Sequence, residues 1–228
     1  MYFDYYYLIL IVPTLILSLW AQIMVKSTFA KYSKIPCSKK ITGQDAAARL
    51  MKANSILDVT IEAVGGSLTD HYDPGSKVLR LSKSVYGETS IAAVGVAAHE
   101  AGHAIQHNLS WGPLALRSTL VPVANIGSMF GPYIAMAGLI LSMPMLLNIG
   151  IILFGAAVLF YVITLPVEFN ASSRAIAELR SSSLLSEDEL KGVKKVLTAA
   201  AMTYVASALT ALMSLLRLIL LSKNRRRQ

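Results

Sequence analysis

Between Arg117 and Glu168 the chain has no Asp, Glu, Lys, Arg or His. A helix crosses a hydrocarbon core of about 30 Å with roughly 20 residues, so this run is too long for one span and suits two. We read it as a transmembrane hairpin, about Thr119 to Met145 and Ile151 to Pro166, with Leu147-Asn148-Ile149-Gly150 as the turn. A second apolar run, Tyr6 to Met24, is also long enough to cross. It has no basic segment before it and no small-x-small cleavage site, which predicts a retained anchor rather than a signal peptide. Tyr5, Tyr6, Tyr7 and Trp20 would lie near the two interfaces, and Pro13 is tolerable as a kink.

The chain as a whole agrees: 54% of residues are hydrophobic and 15% charged, too apolar a balance for a water-facing surface of this size. The net charge of +8 is scattered around apolar segments without an aromatic-basic motif, so the expected partner is a lipid bilayer and not nucleic acid. Cys37 is the sole cysteine, which excludes an intrachain disulfide or a thiolate metal cluster. The expected fold class is a mostly α integral membrane protein, with transmembrane helices and a further domain carrying a small β-sheet. Residues 1–25 form the anchor, 26–117 the first half of that domain, 118–167 the hairpin, 168–195 a polar helical segment, and 196–228 an apolar helix with a basic tail.

Within 26–117 the pattern changes to that of a soluble domain. Gln44 to Asn54, after the capping residue Thr42, reads as an amphipathic helix. Val59 to Val64, the turn through Asp73-Pro74-Gly75, and Lys77 to Leu81 predict a small sheet, with Val78 to Ser82 as its edge strand. The sheet leads into Ile91 to Asn108, which contains His99-Glu100-Ala101-Gly102-His103. Residues four apart on a helix lie roughly 6 Å apart on one face, so His99 and His103 can converge on one metal ion. Glu100 beside them can take a proton from a water acidified by the metal and pass it to a leaving amine. This is the pattern of zinc-dependent peptide hydrolysis, and it makes the expected domain a zincin-like catalytic domain of which residues 26–117 are the first half; the alternative is an Ala-rich core helix with incidental histidines.

Two histidines leave a catalytic zinc one protein ligand short. Glu168 stands where the hairpin ends, and an ionisable group at the margin of so long an uncharged run needs a partner. Zinc is one candidate; the water interface or Arg174 is the other. His107 lies about 12 Å along the helix from His99, which suits a supporting or core role better than ligation. His71 and Tyr72, on the turn before a strand, and Tyr204, on the last helix, are candidate substrate or oxyanion donors; turn-forming and packing are their simpler roles. Asp73 and His107 are the fallback ligands.

The sequence at this point resembles the gluzincin-type membrane metallopeptidases, and among them the membrane zinc metallopeptidases of the YugP type. The resemblance runs through Thr28-Phe29, Lys31-Tyr32-Ser33-Lys34-Ile35-Pro36, Thr42-Gly43, Leu68 to Pro74, His99 to His107, and Glu168-Phe169-Asn170-Ala171-Ser172. It implies His99, His103 and Glu168 as zinc ligands and Glu100 as general base. Related gluzincins place an Asp four residues after the ligand Glu to orient a zinc histidine. Here that position is Ser172, with Asn170 two before it, and a hydroxyl or amide can also hold an imidazole.

The expectation is therefore a membrane-embedded zinc endopeptidase acting on a peptide or membrane-protein substrate. A zinc-braced scaffold without catalysis is the alternative. A transporter would need polar residues through several spans, where the hairpin offers mainly Asn125, Ser128 and Asn148. Lys26, Lys31, Lys34, Lys39 and Lys40 follow the first span closely, whereas the residues before it and the hairpin turn lack Lys and Arg. In a cell membrane, as in bacteria, this bias puts the N-terminus outside and the catalytic site in the cytoplasm. The tail Lys223 to Arg227 opposes that rule if Val196 to Leu221 spans, and Ser207, Ser214 and Arg217 favour a helix packed on the catalytic domain instead.

Overall fold

The computed structural model describes residues 5–225; Arg226 and Arg227 of the basic tail lie outside them. The protein is a mostly α membrane protein with one small sheet. Its elements are α1 (Val12–Tyr32), preceded by a π-helical turn Tyr7–Ile11, then α2 (Gly43–Ala53), β1 (Thr60–Val64), β2 (His71–Asp73) and β3 (Val78–Ser82). They continue with α3 (Lys83–Tyr86), α4 (Ile91–Asn108), α5 (Gly112–Ile140), α6 (Pro144–Ser181) and α7 (Glu187–Arg225). Four helices are long and apolar enough to cross a membrane: Tyr7–Tyr32, Gly112–Ile140, Pro144–Ser181 and Glu187–Lys223. Pro13 has no N–H for the carbonyl four residues back, and the π turn lies immediately before it.

The chain forms two compact units. One takes the sequence up to Gln22, Ala115–Pro166, and Met202 onward; the other takes Ile23–Leu114 and Val167–Ala201. In the first unit α5 and α6 lie backbone to backbone. A Cβ built on Gly150 would stand 2.2 Å from the Ala135 nitrogen, and one on Gly127 2.2 Å from the Leu153 carbonyl oxygen. Small residues permit such an approach where lipid provides no hydrophobic drive for helix pairing. This corrects the expected turn. Leu147 to Gly150 are inside α6, and the chain reverses at Leu141-Ser142-Met143, with Ser142 at φ 57° and the Met143 N–H bonded to the Gly138 carbonyl. Pro144 opens α6, where its missing N–H costs nothing.

The hydroxyls of α7 also lose their weight as evidence against a span. Ser207, Thr210 and Ser214 each donate to the carbonyl four residues back, and Arg217 lies over the Tyr7 ring at 5.3 Å. A hydroxyl satisfied by its own helix is compatible with an apolar surround.

In the second unit α2 and α4 pack together around Ala46, Ala47, Leu50, Ala97, Ala101 and Ile105. Both helices begin on a capping hydroxyl: Thr42 accepts from Asp45 N–H and Ser90 from Ala93 N–H. The sheet order is β1-β3-β2, with β1 parallel and β2 antiparallel to β3. This corrects the expected edge: Val78 to Ser82 is the central strand. Val78, Leu79, Leu81 and Ser82 are buried, as a strand flanked on both sides requires, and the edges are β1 and β2.

Gly150→Val should lower the thermal midpoint of the detergent-solubilised protein, costing about 1–3 kcal/mol through overpacking against Ala135. Asn148→Ala, exposed two residues earlier, should stay within about 0.5 kcal/mol. A larger loss at position 148 than at 150 would contradict this helix pairing.

Candidate metal centre

The centre lies on α4 and on the part of α6 that begins at Val167, both in the second unit. A Cβ on Gly102 would stand 2.6 Å from the Ala171 carbonyl oxygen, so α6 passes α4 at a distance that only glycine permits. That approach brings the Glu168 carboxylate over the two histidines. Glu168 Oε2 is 3.2 Å from His99 Nε2 and 3.6 Å from His103 Nε2, and its side chain is 2% exposed. The two imidazoles meet edge to face with centroids 4.8 Å apart. The ligand-type atoms of His99, His103 and Glu168 lie within 4.8 Å of one another, the one such group of three or more among the described residues.

Each imidazole is held from behind. Ser172 Oγ is 3.1 Å from His99 Nδ1, and Gln106 Oε1 is 3.0 Å from His103 Nδ1. With Nδ1–H donating to these oxygens, both Nε2 lone pairs face Glu168 and are available to a cation. Gln106, fully buried, completes the arrangement. Its Nε2 donates to the Val167 carbonyl (2.9 Å) and to Asn170 Oδ1 (3.0 Å), and that oxygen also accepts from Arg174 Nε (2.8 Å). Gln106 thus locks His103 to the helix that carries Glu168. Sequence reasoning passed over it, although its place three residues after His103 puts it on the same helix face.

Glu100, buried next to this group, has its carboxyl pushed up to about 7 by burial. His99 pulls it down, Glu168 and Asp70 push it up, and the Tyr72 backbone N–H pulls it down. Asp70, also missed in the sequence, accepts from Ser82 N–H (2.7 Å) and Ser82 Oγ (3.0 Å), and burial raises its own pKa.

The remaining candidates are placed as follows. Tyr72 and His71 lie on β2, not on the turn before it. Tyr72 Oη is 2.8 Å from His107 Nδ1, tying β2 to α4, and burial pushes its phenol up to about 12. His71 is exposed, with Nδ1 2.9 Å from the Thr69 carbonyl oxygen. Asp73 accepts from Gly75 N–H and Ser76 Oγ and so builds the turn into β3. His107 and Asp73 are both outside the converging group. Tyr204 lies on α7 within the other unit.

Two imidazole nitrogens, each backed by a hydrogen bond at Nδ1, and one buried carboxylate oxygen form a donor set suited to zinc. The chain belongs to the family described as putative neutral zinc metallopeptidase, which it matches over residues 7–223. It is similar to the "Putative membrane protease YugP" of Bacillus subtilis (strain 168), with 49% identity over 220 residues covering 96% of this chain and 98% of that protein. No solved structure matches the chain.

Gln106→Leu keeps the bulk of the side chain but strips His103 Nδ1 of its partner and removes the amide bonds to the Val167 carbonyl and Asn170, which keeps Arg174. Zinc affinity should fall by roughly 10–100-fold, read by chelator competition. Unchanged affinity would remove Gln106 from the support of the site.

Proposed function

We propose that the protein is a zinc-dependent endopeptidase of the His-Glu-x-x-His type, with His99, His103 and Glu168 as ligands and Glu100 as general base. The observation that carries this reading is the convergence of both Nε2 atoms on the buried Glu168 carboxylate, with Glu100 beside them. Zinc, when bound there, supplies Lewis acidity: it polarises a substrate carbonyl and acidifies water. Glu100 accepts the proton of the attacking water as its oxygen bonds to the scissile carbonyl carbon. It then delivers a proton to the amide nitrogen as the C–N bond breaks. Ser172 and Gln106 keep both imidazoles in the tautomer that presents Nε2. Burial around Glu100 excludes the bulk water that would weaken these interactions.

An extended substrate would pair with a sheet edge. β3 has none to offer, so this role passes to β2, whose Tyr72 is bonded to α4 at His107. Glu100 also distinguishes the reading from a zinc-braced scaffold, because a structural site has no use for a buried acid at that position. The substrate is a peptide or membrane protein, and the protein resides in the cell membrane with the N-terminus outside and the site facing the cytoplasm. The lysines closely following the first apolar run support that orientation.

Glu100→Gln should keep zinc and the thermal midpoint while lowering kcat on a cleaved peptide by about 10²–10⁴-fold. Glu168→Ala should lose zinc and activity together. Zinc-loaded wild-type protein that cleaves no member of a broad peptide library would favour the scaffold. For orientation, single cysteines are introduced as Phe3→Cys, Lys83→Cys and Arg226→Cys, beside the buried native Cys37. A membrane-impermeant maleimide added to intact cells should label position 3 and spare position 83. The reverse pattern would invert the topology, and labelling at 226 would establish that α7 spans.

A further inference from the structure

Where α1 leaves its apolar run and α7 enters its own, the second unit has an open groove of about 580 Å³. Met24, Thr28, Lys31 and Tyr32 line it from α1 at i, i+4, i+7 and i+8, one face of the helix. Lys191, Lys194, Lys195 and Thr198 line it from α7 at i, i+3, i+4 and i+7. The helices are pinned at the groove by the Tyr32 ring, which stands so close to Gly192 that a Cβ there would be 2.9 Å from Cε1.

Four lysines therefore line one groove. Lys191 is paired with Asp188 at 2.7 Å. Lys31, Lys194 and Lys195 have no acidic partner among the described residues, and Lys31 lies over the Tyr32 ring at 5.7 Å. Like charges at helical i, i+3 and i+4 spacing repel one another, so an anion would relieve this arrangement. The groove is also two-sided in character: Met24 and Thr198 lie within the apolar runs, while the lysines belong to their charged flanks. A soluble anion would satisfy the lysines and leave the apolar side in contact with water. A phosphate carrying acyl chains satisfies both, and basic pockets flanking membrane helices have this pattern.

We propose that this groove is a binding site for one acidic phospholipid, with the headgroup phosphate among Lys31, Lys194 and Lys195 and an acyl chain along Met24, Thr28 and Thr198. The assignment rests on α1 and α7 as membrane helices and is independent of the peptidase reading. The test uses the full chain in detergent with phosphatidylglycerol, phosphatidylcholine or sn-glycerol 3-phosphate as probes, with bound lipid read by native mass spectrometry. Wild type should retain phosphatidylglycerol over phosphatidylcholine, and glycerol phosphate should not displace it. The triple variant Lys31→Gln/Lys194→Gln/Lys195→Gln should bind phosphatidylglycerol on the order of 100-fold more weakly. Lys52→Gln/Lys83→Gln, which removes exposed lysines elsewhere in the unit, should bind like wild type. Equal retention of the two lipids, equal loss in both variants, or displacement by glycerol phosphate would each overturn the proposal. Zinc content, read in parallel, should match wild type in both variants; a triple variant that loses zinc is scored instead on Lys194→Gln alone, where undiminished phosphatidylglycerol binding again overturns it.

Discussion

A carboxylate almost fully removed from water, facing two imidazoles, is the interaction on which the candidate metal centre depends. Burying an acid is unfavourable unless cationic or hydrogen-bonding partners compensate. Glu168 faces two Nε2 atoms whose lone pairs offer it no proton when Nδ1 carries the hydrogen, and a divalent cation held between the carboxylate and both nitrogens would supply compensating charge. The geometry requires α6 to pass α4 at near-contact distance, and Gly102 makes this feasible by offering no Cβ to the Ala171 carbonyl. Gln106 then fixes the register of that passage, since its amide bonds the Val167 carbonyl and Asn170 on α6 while holding His103 on α4. The ligand set and its support are thus one structure, in which displacing either helix uncouples both.

The parts of this structure governed by short-range spacing were readable from the chain. Two histidines four apart have to share a helix face, and a long uncharged run has to be divided into spans. Glu168 stood out because it interrupts such a run. Gln106 did not, since a glutamine within a helix has no signature of its own and acquires a role only when α6 arrives beside it. The strand order was hidden for the same reason: Val-Leu-Arg-Leu-Ser reads equally as edge or centre until β1 and β2 are placed on either side. At the hairpin, the glycine and asparagine of Leu147 to Gly150 suggested a turn, whereas Gly150 is used for close packing against Ala135. The stronger signal was Pro144, which fits the first turn of a helix and marks the start of α6.

The setting of Glu100 shows how one position can serve two opposed requirements. A general base needs a carboxylate ready to accept a proton near neutral pH, and burial raises its affinity toward that range. Left to burial alone the group would be held as the neutral acid. His99 and the Tyr72 N–H offset part of that effect, while Glu168 and Asp70 add to it. Tyr72 therefore joins Glu100 to the edge strand, with its backbone at Glu100 and its hydroxyl on His107. On the proposed peptidase reading, a peptide aligned along β2 is positioned by the same residue that conditions Glu100.

The last helix illustrates why composition alone misjudges membrane segments. Hydroxyls and an arginine within Val196 to Leu221 resemble the marks of a water-facing surface, yet Ser207, Thr210 and Ser214 are satisfied by carbonyls of their own helix and Arg217 lies against an aromatic ring. What such a segment presents to lipid is the residue after its polar atoms have found partners, not the residue in isolation. With its polar atoms satisfied in this way, α7 is free to pack along α1, where Ser18 and Thr210 meet at 3.2 Å.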